Sequence, residues 1–407
     1  MKRKHEESPS QSNKQTKRKN GKEEDAERKT WSYTPFVPYS SNNLTVCEKG
    51  VLDAKKHIYV EQTNFISDHF VKALQKKSFF SFQGSPNSGK SSMILNSIIP
   101  MIRDNKENNN YLLLYVDLAV VMKDWVIKKT GGSVSFQHCF MDYVLKKLRS
   151  QASVPQSILT LFSLNSPYCQ ELRKSIILFM DHADDIHKLP YEERRTFVES
   201  WLRISETRVQ FSLFSIVVIG NSVIRPFSIR DEEKNIMVSP FCKHAFVPYF
   251  SRDELVHFTK QFLNIPITME IIDRIYERYT YGHIGQSIIM LKYYTYLWEG
   301  CNPPSNVEEW EYDILSDNFW EFLKNDSFHA KIFESLSNDK LMEPLIRWLK
   351  DEREGRGLNL DLSIEDQLAR IGVIQLSQKR FHLTSHLMRD LVETAYTEPP
   401  QLSTNVI

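Results

Sequence analysis

The segment Gly84-Ser85-Pro86-Asn87-Ser88-Gly89-Lys90-Ser91 has the spacing G-x-x-x-x-G-K-[ST]. Each fixed position has a physical task. The two glycines let the backbone curl until successive N–H groups face one point, which makes a nest for phosphate oxygens. The Lys90 ammonium reaches the terminal phosphates of a nucleotide, and the Ser91 hydroxyl is a ligand for Mg²⁺. The context fits. Ser78–Gln83 (SFFSFQ) reads as a buried strand, and Ser91–Arg103 as a helix whose positive N-terminal end points at the anion. Gly84, Ser85, Pro86, Asn87, Ser88, Gly89, Lys90, Ser91 and Ser92 are therefore the expected nucleotide-binding residues, with a nucleotide and Mg²⁺ as the implied ligands.

Such a loop needs a second group to hold the metal, usually an Asp at a strand end. Ile176-Ile177-Leu178-Phe179-Met180-Asp181 ends in one, and Asp181 is expected to orient Mg²⁺ directly or through water. His182-Ala183-Asp184-Asp185 follows. His182 stands where hydrolytic relatives often carry a Glu, and an imidazole titrates near neutrality, so it is a candidate base. Asp184 and Asp185 read as substitutes for it, as helix caps or as groups outside the metal's own ligands. A further strand ends in Gly220-Asn221-Ser222, which makes Asn221 a candidate sensor of the terminal phosphate; an ordinary turn is the competing reading. Arg225 and Arg230 come soon after and are weaker phosphate candidates.

Outward from these motifs, short apolar runs alternate with amphipathic stretches. Ser78–Gln83, Tyr111–Leu118, Ser175–Asp181, Phe211–Ile219 and Ala245–Val247 read as strands covered on both faces. Ser91–Arg103, Phe136–Arg149 and Tyr191–Ile204 read as the helices between them. The alternation predicts an α/β fold, a parallel sheet with helices on both faces. From Arg252 the chain turns helical, over Arg252–Leu263, Met269–Tyr279, Gln286–Trp298, Trp310–Leu323, His329–Leu336, Asp339–Lys350 and Ile364–Ile371. A short hairpin over 373–383 and a last helix, Ser385–Ala395, suggest a winged-helix unit. The expected division is a disordered basic tail at 1–30, a nucleotide-binding core at 31–250, a helical lid at 251–328, a winged-helix-like unit at 329–395 and a loose tail at 396–407.

Composition sets outer limits. The 407 residues carry 52 Lys/Arg against 51 Asp/Glu, which excludes a surface of one sign. Residues 1–30 are the exception, with ten basic and six acidic residues and no aromatic. Such a segment cannot bury enough apolar surface to offset its ordering entropy. Its clusters Lys2-Arg3-Lys4 and Lys17-Arg18-Lys19 suit a bipartite nuclear-import signal, a phosphate-contacting tail or a merely solvated one. A helix before the first core strand is expected at Asn64–Lys76. No apolar run is long enough to span a membrane, and the charged N-terminus does not resemble a signal peptide. The five cysteines (Cys47, Cys139, Cys169, Cys242, Cys301) are never spaced as CxxC and read as reduced thiols.

Taken together, these residues resemble the STAND branch of the AAA-like P-loop ATPases, and among them the fungal ATPases associated with Crinkler-type proteins. The resemblance runs from about Phe79 to Leu391. It rests on GSPNSGKSS at 84–92, LLLYVDL at 112–118, IILFMDHADD at 176–185, SPFCKHAFVPYFSRDELVHF at 239–258, IIDRIYERYTYGHIGQS at 271–287 and LARIGVIQLSQKRFHLTSHLMRDLV at 368–392. It implies a P-loop NTPase core followed by a helical lid and a winged helix. It also implies that a Gly-His-Pro-Gly turn starts a lid helix near the nucleotide. Here the turn is Gly282-His283-Ile284-Gly285, with Ile284 in place of the Pro, and His283 becomes a candidate nucleotide-binding residue. His182 in place of Glu is the second departure. The expected function is a nuclear ATP-binding switch, slow in hydrolysis, working with a protein partner or as a homo-oligomer. A DNA-associated ATPase of origin-recognition type, gripping DNA through the winged helix or basic tail, and a non-hydrolysing scaffold are the alternatives.

Overall fold

The computed structural model describes residues 78–104, 110–132, 134–150, 153–221, 227–231, 236–241, 243–263, 265–298, 300–304, 306–314, 316–353, 360–377 and 380–397. The N-terminal tail, the helix expected at Asn64–Lys76, Arg225 and residues 398–407 lie outside them, while Tyr396 and Thr397, expected in the loose tail, extend the last helix.

Five strands make one parallel sheet: β1 (Phe79–Gln83), β2 (Tyr111–Asp117), β3 (Ser175–Asp181), β4 (Leu213–Gly220) and, after the antiparallel pair β5 (Ile229–Asp231) and β6 (Ile236–Val238), β7 (Lys243–Phe246). Their order across the sheet is β2-β3-β4-β1-β7. The loop-bearing strand β1 is thus separated from the Asp181 strand by β4. Parallel register brings the functional ends to one edge: Gln83 pairs with Gly220, and Asp117 with Asp181.

The side chains alternate between two apolar layers, as strand geometry requires. Leu114, Val116, Leu178, Met180, Ile216 and Val218 face one layer, which holds Phe140, Phe197 and Trp201. Trp201 meets Phe140 and Phe197 edge-on, with both ring centroids 5.8 Å away. Phe80, Phe82, Ile177, Phe179, Val217 and Ile219 face the other layer, built on Ile94, Ile98 and Ile102 of the helix that follows the loop. That helix starts at Lys90 and widens into a π-turn over Ile94–Ile98 before continuing to Asp104. The expected parallel sheet with helices on both faces is what forms. The strand order, with the curled loop after β1, is a P-loop NTPase fold.

The helix Leu118–Gly131 was not legible in the sequence. Asp117 ends β2 and caps this helix, its carboxylate accepting the Ala119 N–H at 2.9 Å. Exposed Val120, Val126 and Ile127 blur its apolar stripe. The helix expected over Trp310–Leu323 is two helices, Val307–Ile314 and Asp317–Asn325. Ser316 breaks it by donating its hydroxyl to the Asp313 carbonyl at 2.5 Å, a local bond that competes with helix propagation.

Past the sheet, Ser251 and Glu254 close a capping box on Arg252–Phe262, which marks the end of the core. The helical region continues through Met269–Arg274, a π-turn at Ile275–Thr280, and Ile284–Trp298. Asp326 caps the helix Ser327–Leu336, so this element starts two residues before the boundary expected at 329. Asp339–Arg353 and Leu362–Ile371 follow, then the antiparallel hairpin β8 (Ile374–Ser377) and β9 (Arg380–Leu383), then His386–Thr397. Among the described residues no helix is long and apolar enough to cross a membrane. Cys139, Cys169 and Cys301 are free thiols, the first two buried.

Candidate functional site

The site lies where the strands end. The loop leaves β1 at Gly84 and curls through Asn87 (φ 58°) and Gly89 (φ 84°) into the helix at Lys90. The Lys90 ammonium is buried and folds back into the curl. It donates to the carbonyls of Gly84 (2.9 Å) and Ser85 (2.7 Å), to the Ser88 hydroxyl (3.4 Å) and to Asn221 Oδ1 (2.9 Å). Burial pushes its pKa down to about 8, against the opposing pull of Asp184 and Asp181. It remains mostly charged at neutral pH.

Asn221 sits between the loop and the Asp181 strand, where its amide meets three partners. Its backbone N–H donates to Asp184 Oδ1 (3.1 Å), and its side-chain amide to Asp184 Oδ2 (3.4 Å) and to the carbonyl of Arg370 (3.1 Å). One amide therefore touches the loop lysine, a half-buried carboxylate and the end of the helix Leu362–Ile371. Desolvation raises the Asp184 pKa, and Lys90 opposes that.

Asp181 is buried at the end of β3. Its Oδ1 accepts the His182 N–H at 2.8 Å, and its Oδ2 accepts the hydroxyl of Tyr115. Burial and the Asp181 charge push the Tyr115 phenol well above its ordinary pKa. Ser91, at the start of the loop helix, and Asp181, at the end of β3, carry oxygen donors of the kind Mg²⁺ takes, and phosphate and water would complete the shell. The residues fit that ion. Among the described residues no cluster of three His, Cys, Asp or Glu offers an all-protein metal site.

His182 adopts a left-handed backbone (φ 52°) and turns its ring toward β2, with Nδ1 3.0 Å from Asp117 Oδ1. The Asp117 hydrogen bond leads the causes that raise its pKa to about 9, and the Asp117 pKa is lowered in turn, its own burial opposing. In this arrangement the imidazole is a cation that donates to Asp117, so at neutral pH it has no lone pair with which to take a proton from water.

Two further elements close on the loop. His283 is buried, and burial lowers its pKa to about 3, so it is neutral. Its Nδ1 accepts the Gln286 N–H at 3.2 Å, which leaves the proton on Nε2 to be donated to the Ser85 hydroxyl at 2.5 Å. A Cβ on Gly285 would stand 2.9 Å from the Asn87 Cβ, so only glycine lets this helix start ride on the loop. From the C-terminal region, Gly372 does the same: a Cβ there would be 2.8 Å from Pro86. Thr384 donates its hydroxyl to the Gly372 carbonyl at 2.9 Å, and Gln286 reaches Thr384 at 3.4 Å.

The structure therefore brings together Gly84 to Ser91, Asp181, Asn221 and His283. His182 is beside them but aimed at Asp117. Arg230 lies on β5, paired with Met237. Tyr115, Asp117 and the Arg370 carbonyl were missed. The period-2 pattern of YLLLYVD puts Tyr115 and Asp117 on one face of β2, but nothing in the sequence says that β2 lies beside β3.

No protein-family model matches the chain, and no curated protein does. Among solved structures it is similar to a Walker-type ATPase of Pyrococcus abyssi, at 12% identity and a TM-score of 0.44 over 82% of this chain and 97% of that one. It is similar also to the ORC2 protein of Aeropyrum pernix in ADPNP–ADP complexes, at 11% identity and 0.42 over 89% and 95%. A third is Drosophila ORC bound to DNA, at 12% identity and 0.39 over 90% and 95%. These are loose likenesses, and the fold is established by the strand order and the loop.

The His182–Asp117 pair gives a pH signature. A histidine whose folded pKa is raised contributes stability that is fully present below its unfolded pKa of about 6.5 and is lost as pH rises through the folded value, here about 9. The ring is half exposed, so solvent screens the pair and the effect on stability is small. Asp117→Asn should bring the His182 midpoint, followed by NMR, back toward the ordinary value and remove this loss of stability between pH 7 and 9. A midpoint unchanged by the substitution would show that Asp117 is not the cause.

Proposed function

We propose that the chain is an ATP-binding switch of the AAA-like P-loop class, in its STAND branch, in which hydrolysis is slow. The observation that carries this reading is the position of Asn221. Its amide joins the phosphate-loop lysine to Asp184 and to a backbone carbonyl of the C-terminal region. A change at the phosphate loop is thereby felt at the far end of the chain. The strand inserted between the loop strand and the Asp181 strand supports the class. The preference for adenine rests on the sequence resemblance.

In this reading the loop amides and Lys90 bind the phosphates, with the ammonium exchanging loop carbonyls for phosphate oxygens. Mg²⁺, when bound, supplies charge neutralisation at the phosphates, and Ser91 and Asp181 are the residues that would hold it. His283 and Gly285 set the lid against the loop, and Asn221 and Gly372 set the C-terminal region against it. A ligand that prefers one arrangement of these contacts shifts the population toward it. The order of three helices, a two-stranded hairpin and a helix supports a winged-helix unit there, and with it the alternative of DNA as partner. A protein partner or a second copy is the first choice.

Slow turnover follows from His182. A cation held by Asp117 orients water poorly for attack, and general-base catalysis contributes roughly 10²–10⁴-fold where it operates. His182→Glu should therefore keep or raise single-turnover hydrolysis of labelled ATP. Brisk wild-type turnover, unchanged in His182→Ala, would move the base elsewhere.

Lys90→Ala should abolish tight ATP·Mg²⁺ binding in calorimetric titration while the circular dichroism spectrum shows that the fold is retained. Unchanged affinity would sink the nucleotide-binding reading. Nuclear import through the two basic clusters belongs to the same proposal. A large fluorescent fusion lacking residues 1–30 should leave the nucleus, and its retention there would count against the signal.

A further inference from the structure

Asp181 is the carboxylate expected to face Mg²⁺, yet both of its oxygens are engaged by donors of the chain itself. The His182 N–H occupies Oδ1 at 2.8 Å, and the Tyr115 hydroxyl occupies Oδ2. Tyr115 rises from β2, whose neighbour is β3, and stands two residues before Asp117, the register partner of Asp181. Its ring borders the apolar layer under the phosphate-loop helix, so its position is fixed by packing rather than by the hydrogen bond alone. The phenol oxygen therefore lies on the carboxylate that would hold the metal.

A metal-bound water would donate its proton to that same carboxylate oxygen. A phenol O–H makes the same kind of bond, and bonds to an ionised acceptor are the stronger class. A carboxylate that already holds such a donor gains less from a hydrated cation.

We propose that Tyr115 is a latch on the metal site: its hydroxyl occupies the Asp181 oxygen that a hydrated divalent cation would use, so the cation binds only by displacing it. This rests on the nucleotide-binding reading above. It adds that nucleotide and divalent cation are taken up as separable steps, with the cation step opposed by the chain. Free nucleotide binds first through the loop and Lys90. The cation then seats by turning the phenol O–H away from the carboxylate, while the packed ring stays in place. Metal occupancy becomes the switched quantity.

The test measures Mn²⁺ binding to the full chain by the loss of its free electron paramagnetic resonance signal, with a non-hydrolysable ATP analogue present. Tyr115→Phe keeps the ring and removes only the hydroxyl. The variant should bind Mn²⁺ on the order of tenfold more tightly, the effect expected from losing one competing hydrogen bond to a charged group. Its affinity for the analogue in excess chelator should stay as in wild type. Mn²⁺ binding that is equal or weaker in Tyr115→Phe overturns the latch and would make the hydroxyl a support that positions Asp181. In wild type, adding Mg²⁺ to the nucleotide complex should also produce a tyrosine ultraviolet difference signal, and its absence overturns the proposal independently of the variant. Failure of either protein to bind the analogue at all, with Lys90→Ala indistinguishable from wild type, would overturn the nucleotide-binding reading and the latch with it. Normal analogue binding with unchanged Mn²⁺ affinity would overturn the latch alone.

Discussion

A buried ammonium governs the arrangement around the loop. Lys90 is almost wholly removed from solvent, and a charge there must be met by dipoles or opposite charge. The chain meets it with two loop carbonyls, a serine hydroxyl and the Asn221 amide oxygen, while Asp184 and Asp181 act through the field. Because two acceptors are carbonyls of the loop's own first residues, the lysine holds the curl in shape. Because Asn221 lies one residue past the end of β4, the loop is tied to the sheet at the same time. Phosphate is a stronger acceptor than any of these, so its arrival would redistribute the whole set.

Asn221 shows why a small polar residue at this strand end matters to a larger unit. Its oxygen is spent on Lys90, and its two side-chain protons go to Asp184 and Arg370. An amide has one acceptor end and two donors, so it can bridge three partners in a fixed sense. If Lys90 turned toward a phosphate, the oxygen would be freed and the geometry of the other two bonds would change. The second route between loop and surroundings is steric. Gly285 against Asn87 and Gly372 against Pro86 leave no room for a Cβ, so any shift of the loop moves the elements above it.

Much of the frame was legible in the sequence, since buried strands and a glycine-rich loop leave local patterns. Asp181 and Asn221 could be named because each ends an apolar run. What stayed hidden depends on neighbours far apart in the chain. Tyr115 meets Asp181 across 66 residues, and Asn221 meets Arg370 across 149. Periodicity places such residues on a face but does not say which strand lies alongside. The helix after Asp117 was hidden for a local reason, because its capping carboxylate looks like the last residue of a strand. His182 was misleading in a different way. Its type suggested a base, but the direction of its ring, toward Asp117, is set by the pairing of β2 with β3.

The contacts that cover the loop share a chemical character with consequences for how they can be opened. His283 is neutral, the Arg370 contact uses its carbonyl rather than its guanidinium, and the Gly285 and Gly372 contacts are van der Waals surfaces. None of these is an ion pair, so added salt, which screens charges, has little hold on them. Neither does mild acid, because His283 titrates at about 3. Charge is concentrated one layer below, at Lys90, Asp181 and Asp184, where an anionic ligand with its cation would act. These four contacts are therefore little affected by the general ionic environment, and the charges beneath them are the groups that would answer to what enters the loop.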